Sequence, residues 1–132
     1  MSRIVVSKTP PGGAMSQLTS SGFTRVAPVV RVRCENGIPV PHPDPVAVNT
    51  NGNQPTVIIW IGDRSVQEIT AITIEDPEFD PPVQHGPKTW SCIDHCTTDG
   101  NFKYAITAIC VGSDDIPVTN DPIINNADTG SP

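Results

Sequence analysis

Prolines and glycines punctuate the chain so often that no long helix fits between them: fifteen prolines and ten glycines are spread over 132 residues. Inside a helix a proline removes a backbone donor and clashes with the preceding turn, at a cost of about 3 kcal/mol or more. Nowhere does a long window carry apolar residues at helical spacing. The apolar residues between the breakers are mainly valine and isoleucine, whose branched side chains suit a pleated strand. Short strands separated by Pro, Gly, Asn and Asp predict an all-β chain, a single and mostly antiparallel β-sandwich of about seven to eight strands. The length fits one domain over residues 1–132, with one core.

The net charge of −6 argues against nonspecific binding to nucleic acid or to an anionic membrane. No apolar run approaches the roughly 18–20 residues of a membrane span. The N-terminal MSRIVVSKTPPGG has too short an apolar patch for a secretory signal, so a cytoplasmic protein is expected. In that compartment the four cysteines, Cys34, Cys92, Cys96 and Cys110, are expected as free thiols rather than disulfides. There is no Gly-rich phosphate loop, no G-x-S-x-G elbow and no basic–aromatic patch, so no small-molecule cofactor is expected.

Along the chain, Ile4 to Val6 can begin a strand that Pro10-Pro11-Gly12-Gly13 ends, and residues 12–22 read as a loop or mobile segment. Val30-Arg31-Val32-Arg33 alternates as a strand with one wet face, and Pro28 suggests an edge or a bulge. Residues 35–55 read as an extended loop with one short strand at Val46 to Val48. The apolar run Thr56 to Ile61 is the expected central strand. In Val66 to Glu75, Ile72 and Ile74 share one face. Residues 76–88 form a Pro-rich loop in which Phe79 can plug the end of the core. Trp90 to Cys92 reads as a short strand and Asp94 to Asn101 as a polar turn. Phe102 to Val111 is the strongest strand, with Phe102, Tyr104, Ile106, Ala108 and Cys110 on one face and Lys103 mid-sheet. Such a strand can be buried on both sides. Ile116 to Asn125 returns as a strand broken by Pro117 and Pro122, and residues 126–132 form a frayed tail.

Two features carry chemistry. Four Asp-Pro bonds occur, at Asp44-Pro45, Asp76-Pro77, Asp80-Pro81 and Asp121-Pro122. Asp-Pro is an ordinary turn initiator. It is also a labile bond, because the Asp carboxyl can attack its own main-chain carbonyl, close a five-membered anhydride and expel the secondary amine of proline once that amine is protonated. A second carboxyl can transfer the proton, and the covalent intermediate splits one hard step into two. Lys103 is the other feature. Either its stem packs and its amine reaches water, or it is a buried, neutral amine able to attack an anhydride at Asp121. The second outcome is a side-chain amide joining two strands. The 18 residues from Lys103 to Asp121 suit a strand, a turn and a returning antiparallel strand.

The pattern Phe102-Lys103-Tyr104-x-Ile106-Thr107, followed by Asp121-Pro122-Ile123-Ile124-Asn125, resembles the DP-EP family of small bacterial β-sandwich proteins. The resemblance covers about the last 30 residues. It implies an aspartic-type autoendopeptidase cleaving its own Asp121-Pro122 bond, an Asp121–Lys103 cross-link, and self-assembly into a homo-oligomer or cross-linked assembly. It also implies a separate catalytic aspartate that activates water. Asp76 is the choice, at the end of an expected core strand, with Glu75 and Asp80 as alternatives. Such a carboxyl is expected to be buried and close to Asp121.

Cys92-x-x-His95-Cys96 offers good zinc ligands, but its spacing matches no familiar finger or ribbon. A blue-copper site wants an axial methionine, and the two methionines are Met1 and Met15. No metal is expected. The alternative to self-processing is a noncatalytic β-sandwich interaction module that assembles through its edge strands. A zinc-stabilised domain built on Cys92, His95 and Cys96 is a weaker third reading.

Overall fold

Strands form wherever Val-, Ile- and Thr-rich runs lie between turn residues. The computed structural model describes residues 25–26 and 29–130, and it is all-β there, with no α-helix. The strands are β1 (Arg25–Val26), β2 (Val30–Glu35), β3 (Ile38–His42), β4 (Val46–Asn49), β5 (Thr56–Gly62), β6 (Val66–Thr73), β7 (Val83–Gly86), β8 (Thr89–Asp94), β9 (Gly100–Lys103), β10 (Ala105–Cys110), β11 (Pro117–Asn120) and β12 (Ile123–Ala127). The strand expected at Ile4 to Val6, the loop at 12–22 and the break at Pro28 lie outside the described residues.

Three sheets result. The largest runs β3-β2-β5-β8-β7, with β1 also on β5, and the other two run β11-β10-β6 and β4-β12-β9. Most pairs are antiparallel, but β1–β5, β2–β5 and β4–β12 are parallel. As expected, β5 is central, although its burial alternates residue by residue: Ile58 and Trp60 are buried, while Val57, Ile59 and Ile61 are half-exposed. One cluster of buried side chains joins the sheets, with Val30, Ile58 and Trp60 from the first, Ile69, Ile72 and Ile106 from the second, and Val46, Val48 and Ile124 from the third. Phe79 closes one end of that core, 5 % exposed, its ring edge-on to Phe102 at 5.2 Å.

The strand expected over Phe102 to Val111 is two strands in two sheets, and its return is broken at the same level. The break has a local cause. Tyr104 N–H donates to the Pro122 carbonyl at 3.1 Å. The reciprocal bond of an antiparallel pair is missing, because Pro122 has no N–H. On one side of this gap β9 pairs with β12, and on the other β10 pairs with β11 and β6. The register does not shift across it. It runs from Ile109↔Pro117 to Ile106↔Asn120, and resumes at Lys103↔Ile123 through to Gly100↔Asn126. Asp121 and Pro122 therefore stand opposite Ala105 and Tyr104 in one long hairpin that crosses between sheets.

Three expectations are corrected. Lys103 ends a strand at the edge of its sheet rather than lying in mid-sheet, and it is exposed because the inner face at this level belongs to Phe102 and Tyr104. The 126–132 tail begins late: Asn126 lies in β12 and is 1 % exposed. Two of the cysteines expected as free thiols, Cys34 of β2 and Cys110 of β10, form a disulfide across 76 residues, while Cys92 and Cys96 are free and buried. The 35–55 stretch also holds more order than expected. Asn36 and Gly37 both adopt positive φ, the conformation a two-residue hairpin turn demands, and this turn builds β3. Pro39 and Pro41 are tolerated in β3 because it is an edge strand of its sheet.

Candidate functional site

The Asp121–Pro122 bond sits at the crossing between sheets, with the carboxyl side outward and the ring inward. Asp121 is exposed and Pro122 buried. The hairpin register sets this alternation, since Ala105 faces outward and Tyr104 inward opposite them. Lys103 is outward as well, two residues before Ala105. It is thus the diagonal neighbour of Asp121 on the same face, at a Cβ spacing of about 7 Å that a lysine stem can span. The two residues expected side by side are offset by two positions in the register, Lys103 standing opposite Ile123. Of the two alternatives for Lys103, the structure has the exposed amine.

A third group lies at the bond that sequence reasoning did not select. Asp44, in the loop between β3 and β4, accepts the Ile123 N–H through Oδ1 at 3.3 Å. Ile123 is the residue directly after Pro122, so this carboxylate borders the amine side of the Asp-Pro bond. Asn120 holds the acyl side. Its Oδ1 accepts the Asp121 N–H at 2.9 Å, and its Nδ2 donates to the Pro39 carbonyl of β3 at 3.0 Å. The loop that carries Asp44 leaves β3 through cis peptide bonds at His42-Pro43 and Asp44-Pro45.

Beneath the bond, Tyr104 is 3 % exposed. Its hydroxyl accepts the Trp60 indole N–H at 3.1 Å. Burial pushes the Tyr104 hydroxyl well above its usual range, and the negative charge of Asp44 adds to that, while the Trp60 bond opposes it. The phenol therefore stays neutral and keeps its own proton as a donor.

Asp76 is exposed and turns back on its own loop, accepting the Glu78 N–H at 2.9 Å. It borders a different cleft, shared with His95, Thr97, Thr98 and Phe102. Glu75 is exposed, and Asp80 pairs with His95 Nε2 at 2.7 Å. The carboxyl whose contact reaches the Asp121-Pro122 junction is thus Asp44. Its own Asp-Pro bond was the only mark it carried in the sequence, and its approach to Ile123 depends on a contact across 79 residues.

Sequence reasoning also missed a buried acidic pair. Asp94 is 0 % exposed and Glu78 7 %. The amide Nδ2 of Asn126 joins them, at 3.0 Å from Asp94 Oδ1 and 3.3 Å from Glu78 Oε2, and it lies 3.2 Å from the Thr98 carbonyl. Burial raises the Asp94 pKa, and the Glu78 charge adds to this against the bonds from Asn126 and Cys96. Burial acts on Glu78 in the same sense, but the Thr97 hydroxyl and the N–H groups of Thr98 and Thr97 outweigh it and hold that carboxyl below its usual range. This group fastens β12 to the end of β8. No periodicity marks it, because Asp94 closes a strand and Asn126 stands in a polar run.

The cysteine–histidine motif does not converge. Cys92 Sγ donates to the Asp80 carbonyl and Cys96 Sγ to the Thr56 hydroxyl, while His95 faces Asp80. Among the described residues no group of three His, Cys, Asp or Glu side chains is placed to hold a metal ion. Compared with known proteins, the chain matches no family model and no curated protein.

Proposed function

We propose that the chain processes itself at Asp121–Pro122 as an aspartate-dependent autoendopeptidase, with Lys103 as an amine able to capture the acyl group. One observation carries the reading. A single hairpin register puts the Asp121 carboxyl and Lys103 diagonally on one outward face, at the point where the ladder lapses and the Asp44 carboxylate meets the next N–H.

The chemistry follows from those positions. The Asp121 carboxylate attacks its own main-chain carbonyl carbon and closes a five-membered anhydride. The bond to the Pro122 nitrogen breaks, and that nitrogen leaves as a secondary amine after taking a proton. Asp44, on the amine side, is the carboxyl group placed to relay that proton. Water, which reaches the exposed Asp121 freely, then opens the anhydride to two carboxyl groups. If the Lys103 amine attacks first, its nitrogen gives up a proton to solvent as the anhydride opens to a side-chain or main-chain amide and one carboxylate, and no water is consumed. After hydrolysis the segment from Pro122 onward is held by β4, β9 and the Asn126 bonds. Loss of that segment opens a slot between two strands that a second copy can enter, so the chain itself is the partner on this reading. The three sheets then act as one β-sandwich closed by β12. The disulfide favours an oxidising compartment over the expected cytoplasm.

The test is the denatured intact mass of fresh and aged protein. Wild type should yield a species ending at Asp121 and a peptide of residues 122–132. Asp121→Ala should yield neither, and Asp44→Asn should slow both by about 100-fold, the lower end of general acid–base contributions. Asp76→Asn should cleave at the wild-type rate. An Asp121-terminated species lacking one water, absent in Lys103→Ala, marks capture by the lysine. A single unchanged wild-type mass across a range of pH defeats the reading.

A further inference from the structure

The disulfide closes a ring of contacts that passes through the candidate site. Cys34 stands opposite Pro39 in the β2–β3 pair. The Pro39 carbonyl accepts Asn120 Nδ2 at 3.0 Å, and Asn120 stands opposite Ile106 in the β10–β11 pair. Four residues on in β10 is Cys110, bonded back to Cys34. Around this ring every link but one is a strand ladder or a covalent bond; the exception is the single Asn120–Pro39 hydrogen bond. Asn120 also holds the Asp121 N–H, and β3 leads directly into the loop that carries Asp44. The disulfide, from β2 to β10, thus ties together the partners of β3 and β11, the strands that lead into Asp44 and Asp121.

The same disulfide borders a cleft of about 570 Å³, lined by Cys34, Cys110, Arg64, Ser65, Val111 and Ser113. Cys34 is partly exposed, and both Arg64 and Val111 are exposed. An arginine beside a disulfide favours the leaving thiolate in exchange. Val111, 62 % exposed, offers the apolar lip on which a thiol reagent can rest.

We infer that Cys34–Cys110 is a thiol–disulfide exchange site for dithiol reductants, and that its state sets the geometry of the Asp121–Pro122 junction. In the exchange a reductant thiolate attacks one sulfur, and the other cysteine leaves as a thiolate that takes up a proton. The second reductant thiol then resolves the mixed disulfide. Two electrons and two protons pass to the protein, and the reductant leaves as its cyclic disulfide. Oxidised, the ring holds β3 against β11. Reduced, β3 keeps the Asn120–Pro39 bond and its packing on β10 and β11, and Ser65 still accepts the Cys34 and Val111 N–H groups, but the covalent tie is gone and the approach of Asp44 to Ile123 loosens. The consequence for cleavage rests on the self-processing reading, in which oxidation of the chain precedes processing.

The experiment treats full-length native protein with dithiothreitol, without denaturant. It follows thiol release, amide hydrogen exchange at Asp121 and Ile123, and the yield of the 122–132 peptide by mass. Expected are release of two thiols from the folded protein, faster exchange at Asp121 and Ile123 with β5 and β8 unchanged, and cleavage slowed by about tenfold or more, as ångström-scale misplacement of reacting groups entails. Cys34→Ser with Cys110→Ser should match the reduced protein and ignore the reductant. Thiol release only after unfolding, or identical exchange at Asp121 and Ile123 in both states, overturns the inference. So does cleavage at equal rates in the two states. Absence of peptide in both states, with the exchange difference intact, defeats the self-processing reading and leaves the switch standing.

Discussion

At Asp94 a carboxyl lies wholly buried, and one of its oxygens, Oδ2, makes no hydrogen bond. Burial is the main cause of its raised pKa. A carboxyl raised in the fold binds its proton longer there than in the unfolded chain. Its stabilising contribution is therefore complete below the ordinary value of 3.8 and is lost as pH rises through the higher folded value. Glu78, held below its usual 4.5, acts oppositely, but its contribution is complete above 4.5 and falls only in stronger acid. A titration upward through the carboxylate range, with Asp94→Asn as the reference that keeps Glu78, thus isolates Asp94. The expected result is that wild type loses stability relative to Asp94→Asn as pH rises, read as the gap between their urea midpoints. Parallel midpoints across that range would show that the buried carboxyl does not titrate between the two states.

Among the elements, β12 has the most to hold. It is the middle strand of its sheet, parallel to β4 and antiparallel to β9. Ile124 points into the core and is 0 % exposed, and Asn126 satisfies acceptors from β8 and from two loops. Removing the Asn126 amide takes one donor from each of those acceptors, although Asp94 Oδ1 keeps the Cys96 N–H and Glu78 Oε2 keeps the Thr97 and Thr98 N–H groups. Asn126→Ala should therefore cost about 1–3 kcal/mol in urea unfolding. The loss should appear first as faster amide exchange in β12 and β4. An unchanged midpoint would mean that water replaces the amide and that β12 is held by its ladder and Ile124 alone.

For the whole molecule, the disulfide is the longest covalent constraint. It closes 76 residues of chain and ties β2 of one sheet to β10 of another. Chain-entropy arguments put the loss on removing such a link at about 4 kcal/mol. The Cys34→Ala, Cys110→Ala double variant should lower the unfolding free energy by that order, with a steeper denaturant dependence from a more expanded unfolded state. A loss below about 1 kcal/mol would mean that core packing already holds the two sheets in register. No helix among the described residues is long and apolar enough to cross a membrane.

Much of the fold was legible in the order of the residues. Pro and Gly density excluded long helices, and β-branched runs marked β2, β4, β5, β6 and β10, because these signals act within a few residues. Asn36-Gly37 marked the β2–β3 turn just as locally, though the prolines around it obscured the strand it opens. The hairpin that returns Asp121 to within two positions of Lys103 was legible too, as one strand, one turn and one return. Tertiary structure alone decided the rest. It split that hairpin between two sheets at a proline without an N–H, and left Lys103 in solvent. It also brought Asp44 to the bond, joined Cys34 to Cys110, and buried Asp94 beneath Asn126. Each of these depends on segments tens of residues apart meeting, and a contact of that kind leaves no periodicity or turn signal in the residues that make it.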